Sequence, residues 1–354
     1  PLNDNYLINF TEVSTSTTIS CELSGDKITG NIAMVAHKGG MNGAGSFWFK
    51  DLGLSGSKLS VDPGRSLGPI VSTMHTLSRN TLKMSVQMMP VGTQQPKEIF
   101  LKCKPKEEDI WGQEARSLVN TDGYVAEFKI EDWDDSRSYD YQVEYNYSNN
   151  QGSQVTATYD GVIRKNPVDK EEFVIAAFTG NNNTSWQNNA FDRRRLFFPH
   201  EDLTSKVTMH NPDFLFYSGD QLYEGSPSPP DRSGMPSSTL DYLYKWYLWC
   251  WAYRDLTRNI PTISIPDDHD VYQGNIWGWG GRKTPGEPPV EGRWDPAYNQ
   301  GGYWMPVDWI KMVERTQTAH LPDSYDPTPV EQGIGVYYTQ LKWGGISFAI
   351  LEDR

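Results

Sequence analysis

DFLFYSGDQLYEG, residues 213–225, is the stretch on which the fold turns. Phe214 to Tyr217 form a continuous apolar run, not an alternating one, so the strand they predict is buried on both faces, as in a parallel sheet covered by helices. The run then breaks into Gly219-Asp220. Working outward, the same design recurs three times. EFVIAAF (172–178) runs into Thr179-Gly180-Asn181, PTISIP (261–266) into Asp267-Asp268-His269-Asp270, and SFAIL (347–351) into Glu352-Asp353-Arg354. LDYLYKWYLWCWAYRDL (240–256) has helical length with apolar residues at three- and four-residue steps. Alternating strands and helices predict an α/β layered domain, and in such sheets chemistry collects beyond the carboxyl ends of the strands.

Upstream the pattern differs. TTISCEL (17–23), TLKMSVQMM (81–89), EIFLKC (98–103), YVAEFKI (124–130) and YDYQVEY (139–145) alternate apolar and polar residues. That period gives each strand one buried face and predicts an all-β sandwich region. The glycine-rich stretch 39–68 reads as a seam. The expected division is an N-terminal β region over 1–68, a sandwich over 69–166, and the layered domain over 167–354.

Composition narrows the function. The chain has 354 residues, 37% hydrophobic and 13% aromatic, which suits a folded, multidomain protein. A net charge of −13 disfavours nucleic acid and anionic membranes as partners. No apolar run is long enough for a membrane span. The three cysteines have no zinc spacing. Pro1 is not an initiator methionine, so an export signal upstream is expected to have been removed, and the protein to be secreted or periplasmic.

Several acidic strand ends gathered at one sheet edge would repel unless a cation neutralised them. A hard metal does so through carboxylate oxygens and imidazole, and it also gives an acidic protein a local positive field with which to hold a phosphate. YSGDQLYEG (217–225) followed by IPDDHDVYQGN (265–275) resembles the alkaline phosphatase D (PhoD-like) family of metallophosphoesterases, and its Gly-Asp-x-x-Tyr element is similar to that of purple acid phosphatases. The resemblance covers roughly residues 80–354 and implies a β-sandwich before a metallophosphoesterase-type layered domain. It implies that Asp220 bridges two metals, that Tyr223 binds iron and Asp268 is a ligand, and that His269 acts beside the phosphate as acid or charge stabiliser. Calcium and iron are the implied ions.

The chain also departs from that family. Asn181 stands where a metal-binding cysteine is usual, so it offers a neutral oxygen or only a turn. Asp270 replaces a glutamate, and Glu352 replaces an aspartate. Glu352 and Arg354 read either as an exposed ion pair or as part of the site, with Arg354 toward the phosphate. Further ligands are expected after Arg354 or from a second chain. His200, His210 and His320 lack ligand spacing and are expected at the surface. The Gly- and Pro-rich stretch 272–304 is long enough to be functional. Its Trp277, Trp279 and Trp294 either wall a substrate pocket or pin the loop, and Arg282, Lys283 or Arg293 would reach the phosphate.

The expected function is hydrolysis of a small phosphate monoester or diester by in-line attack of a metal-activated water, with His269, Asp268 and Arg282 as catalytic groups. Two alternatives stay open. Thirteen tryptophans and an acidic surface also suit a glycan-active enzyme with paired carboxylates, and the Asn181 departure suits a metal-binding relative that has lost turnover.

Overall fold

The computed structural model describes residues 5–12, 14–24, 66–149, 151–183, 198–274, 282–284 and 301–352. The chain divides into two compact units, residues 1–53 and 54–354. In the first, β1 (Asn5–Glu12) and β2 (Thr17–Ser24) form an antiparallel hairpin in which Asn9 faces Ser20.

The second unit begins with two antiparallel sheets. One holds β3 (Ile70–Ser78), β4 (Thr81–Met88) and β7 (Val125–Ile130) in the order β3-β4-β7. The other holds β5 (Glu98–Pro105), β6 (Gln113–Leu118), β8 (Tyr139–Ser148) and β9 (Gln154–Ile163) in the order β6-β5-β8-β9. Alternation works as the period predicts. Ile99, Leu101 and Cys103 of β5 are buried, and they share one core with Met84, Val86 and Phe128 of the facing sheet. β3 is buried at every position, because its second face is covered by helix α2 (Ser237–Thr257).

The layered part follows as β10 (Ile175–Phe178), α1 (Glu201–Met209), β11 (Phe214–Tyr217), α2, β12 (Thr262–Ser264) and α3 (Val307–Thr318). The three strands are parallel in the order β10-β11-β12, and Phe178 lies beside Tyr217, which lies beside Ser264. Whatever follows these three residues therefore emerges along one edge. β11 and β12 are largely buried, as their apolar runs predict. β10 is not, and this corrects the reading of 172–178 as a central strand. Among the described residues it borders the sheet, with Ile175 exposed.

α2 carries apolar residues nearly all round and is buried on several sides. Trp246 and Trp249 stack at 4.6 Å, and the Trp246 indole N–H donates to Gln87 Oε1 at 2.9 Å. An aromatic so enclosed contributes about 3–5 kcal/mol, the usual cost of truncating it to alanine. The core does not break at residue 166: Phe214, Ile263 and Ile265 join the cluster formed by the two antiparallel sheets.

β13 (Thr339–Trp343) and β14 (Ile346–Ile350) form an antiparallel hairpin of their own. Its turn, Gly344-Gly345, has φ +61° and +75°, which two glycines adopt without strain. The fourth apolar run therefore does not deliver Glu352 to the parallel edge with the other three. The Glu352 carboxylate accepts from the backbone N–H groups of Tyr337 and Tyr338. Among the described residues, no helix is long and apolar enough to cross a membrane.

Candidate metal centre

The loop after β11 can approach the loop after β12 because residue 219 is glycine. A Cβ there would lie 2.4 Å from Asp267 Cβ, and its φ of +113° is one that side chains avoid. Asp220 follows with φ +55°, uncommon for a residue with a side chain. What holds it there is Asp270. That carboxylate is fully buried, and its Oδ2 accepts from the N–H of Asp220 and of Asp267, both at 2.8 Å. Its Oδ1 accepts from the Leu222 N–H at 3.2 Å and from Gln317 Nε2 at 3.1 Å. One carboxylate thus ties both loops, and α3 behind them, to a single point. Burial raises its pKa to about 7 even so. The loop after β10 joins through the Asn181 N–H, which donates to the Asp220 carbonyl at 2.7 Å.

Asp220, Asp268 and His269 each offer a ligand atom, and these atoms lie within 4.8 Å of one another. Asp220 Oδ1 is buried without a hydrogen-bond partner. Burial pushes the Asp220 carboxyl above its ordinary pKa, against the pull of His269 and the Tyr223 hydroxyl. A partly buried carboxylate with an orphaned oxygen, beside a second carboxylate and an imidazole, fits a hard cation. These three residues can hold a metal ion.

The neighbours set how they stand. The Tyr223 hydroxyl donates to Asp220, and the tyrosine ring packs against His269 at 4.2 Å. Burial and the Asp220 charge push the Tyr223 pKa well up. His269 Nδ1 lies 2.6 Å from Glu224 Oε2. Burial disfavours the charged ring, but the Glu224 hydrogen bond and charge outweigh it and raise the His269 pKa to about 9. Glu224 in turn is 2.6 Å from Gln273 Nε2 and 3.8 Å from the Arg232 guanidinium. Behind this lies a buried ion pair, Lys245 Nζ to Asp241 Oδ2 at 2.6 Å, which also receives the Tyr272 hydroxyl.

The residues expected at the site separate as follows. Asp220, Tyr223, Asp268 and His269 are brought together. Asn181 adjoins them through its backbone, while its amide oxygen accepts from the Tyr253 hydroxyl at 3.0 Å and its amide nitrogen donates to the Gln221 carbonyl, so its side chain braces the loop against α2. Arg282 is exposed and its guanidinium pairs with Glu331 at 2.5 Å. Trp277, Trp279, Arg293, Trp294 and Arg354 lie outside the described residues. His200 is half-buried on Asn183 Oδ1, and His320 is fully buried, not at the surface.

Glu224, Gln273 and Gln317 are not singled out by the sequence, and Asp270, which is, shows no sign there of its clamping role. For Glu224 a signal existed: a ligand histidine needs a partner for its second nitrogen, and a glutamate stands one residue past Tyr223. For Gln317, 47 residues from Asp270, none did.

No family model matches the chain, and no curated protein matches its sequence. Among solved structures it shows 11% identity to a polysaccharide deacetylase from Bacillus cereus, over 41% of this chain and 49% of that one, with a TM-score of 0.19. It shows 11% identity to a beta-glycosidase from Bacteroides vulgatus, over 55% of this chain and 29% of that one, with a TM-score of 0.21. The chain thus spans less than half the length of either, and likenesses this slight carry no argument about fold or activity.

Proposed function

We propose that this chain is a metal-dependent hydrolase of phosphate esters. The observation that carries the reading is the meeting of Asp220, Asp268 and His269 beyond the ends of adjacent parallel strands, with one Asp220 oxygen buried and unsatisfied. Asp220 and Asp268 would hold the cation by oxygen, and His269 by nitrogen. When bound, a di- or trivalent ion supplies an acidified water and a counter-charge for phosphoryl oxygens. The chain's own contribution is placement. Asp270 clamps the two loops, Gly219 permits their approach, and Tyr223 engages the Asp220 carboxylate, whose Oδ1 is left without a hydrogen-bond partner. The net charge of −13 makes a local cation the natural means of holding an anionic substrate. The resemblance of 217–225 and 265–275 to PhoD-like phosphatases supports the same chemistry and suggests iron and calcium as ions.

The test compares chromogenic phosphate monoesters and diesters with chromogenic glycosides and acetylated sugars, before and after chelation. The proposal expects phosphate-ester turnover that chelation removes and added metal restores. Turnover of the glycosides or acetyl esters, with none of the phosphate esters, would overturn it in favour of a glycan-active enzyme.

A further inference from the structure

His269 stands on the loop after β12, while Glu224 stands on the loop after β11. Their side chains meet across the gap at 2.6 Å, and both are largely shielded, with 20% and 12% of the side chain exposed. An ionised carboxylate only accepts hydrogen bonds, so Nδ1 must donate to Glu224 Oε2. Gln273 Nε2 lies 2.6 Å from Glu224 Oε1 and 2.7 Å from His269 Nδ1. Since Nδ1 is already a donor, the Gln273 amide proton goes to Glu224. Arg232 then stands 3.8 Å from Oε1 as counter-charge. Glu224 is thus fixed from three directions, and with Nδ1 committed, Nε2 is the one ring nitrogen left for a ligand.

We propose that Glu224 is the positioning residue of the metal centre: it crosses between the two loops to occupy His269 Nδ1, so that Nε2 is the nitrogen given to a cation shared with Asp220 and Asp268. The proposal rests on the reading that these three residues hold a cation. It does for the imidazole what Asp270 does for the backbone, and a carboxylate behind a ligand histidine usually changes metal affinity by about 10–100-fold.

The experiment is a cobalt(II) titration of the metal-free protein, read by visible absorption, with the thermal melt of each metal-free variant as a check on folding. Glu224→Leu should weaken cobalt binding about 10–100-fold, and Glu224→Gln, which keeps an acceptor oxygen, should recover most of the loss. In a double-mutant cycle the effect of Glu224→Leu should vanish in a His269→Ala background, which a merely structural role would not produce. Should Glu224→Leu fail to fold, Glu224→Ala, which also removes the acceptor, supplies the same cycle with His269→Ala. If the wild type binds no cobalt, the metal centre itself is wrong. If the wild type binds and the Glu224 variants bind equally well, or lose equally with and without His269, only the role of Glu224 is overturned.

Discussion

At the ends of the parallel strands His269 has a carboxylate, Glu224, 2.6 Å from Nδ1, and its pKa rises to about 9. In the core, His75 on β3 and His320 just beyond α3 are fully buried with no carboxylate beside them among the described residues, and both fall to about 3. Burial opposes charge at all three. At His75 and His320 the neighbouring charges, Arg164 and Lys83, are of like sign and add to it. At His269 the neighbours are Glu224, Asp220 and Asp268, and they reverse it. The difference shows how neighbours decide a buried histidine's charge: carboxylates are collected around His269 at one sheet edge, whereas His75 and His320 in the core are kept neutral. The site is the part of the molecule that spends stability to concentrate charge.

The largest effect that can break this contrast comes from the site. Asp220→Asn removes one negative donor and should lower phosphate-ester turnover by roughly 100- to 1000-fold, the range seen on losing one electrostatic group from an active site. The apo protein should be no less stable, because burial already raises the pKa of that carboxylate. Steady-state kinetics and a thermal melt check both halves; lost activity together with a lower melting temperature would make Asp220 an ordinary structural residue.

Next in size is Gly219→Ala. It places a Cβ 2.4 Å from Asp267 Cβ at φ +113°, so strain and overpacking together should cost roughly 2–4 kcal/mol. Denaturant unfolding measures that cost. A variant as stable as wild type would show that the two loops do not need their close approach.

The smaller effect belongs to the core. The two buried histidines take up protons near pH 3 when folded and near 6.5 when unfolded. The unfolded state therefore binds more protons across that window. Stability from this source is full above about pH 6.5 and is lost as pH falls toward 3, by about 2 kcal/mol per histidine at pH 5. His75→Phe should flatten the acid limb of stability measured by urea unfolding at pH 7 and pH 5. An unchanged pH dependence would mean that His75 is solvated or charged in the native state.

The same contrast explains what could be read in advance. Two acidic strand ends, at Asp220 and Asp268, were legible because a continuous apolar run that breaks into ligand residues has few other uses, and both runs proved to be adjacent parallel strands. Within Asp267-Asp268-His269-Asp270 the residues look alike in sequence, yet Asp268 faces the site while Asp270 faces inward and accepts four hydrogen bonds. Only the turn of the loop separates them. His320 was misplaced because no periodic pattern marks the residue beyond α3 as interior, and the neighbours that enclose it, Thr76 and Ser85, are more than 230 residues away in sequence. β10 was misplaced for the opposite reason: its apolar composition signals burial, whereas its position in the sheet decides exposure.

The most direct test of the central claim is manganese binding to the metal-free chain, followed by electron paramagnetic resonance, in wild type, Asp220→Asn and Asp268→Asn. The account predicts that wild type takes up the ion and that each substitution weakens uptake by at least about tenfold with the fold intact. Equal uptake by all three proteins would mean that the strand ends gather acidic groups for some purpose other than holding a cation.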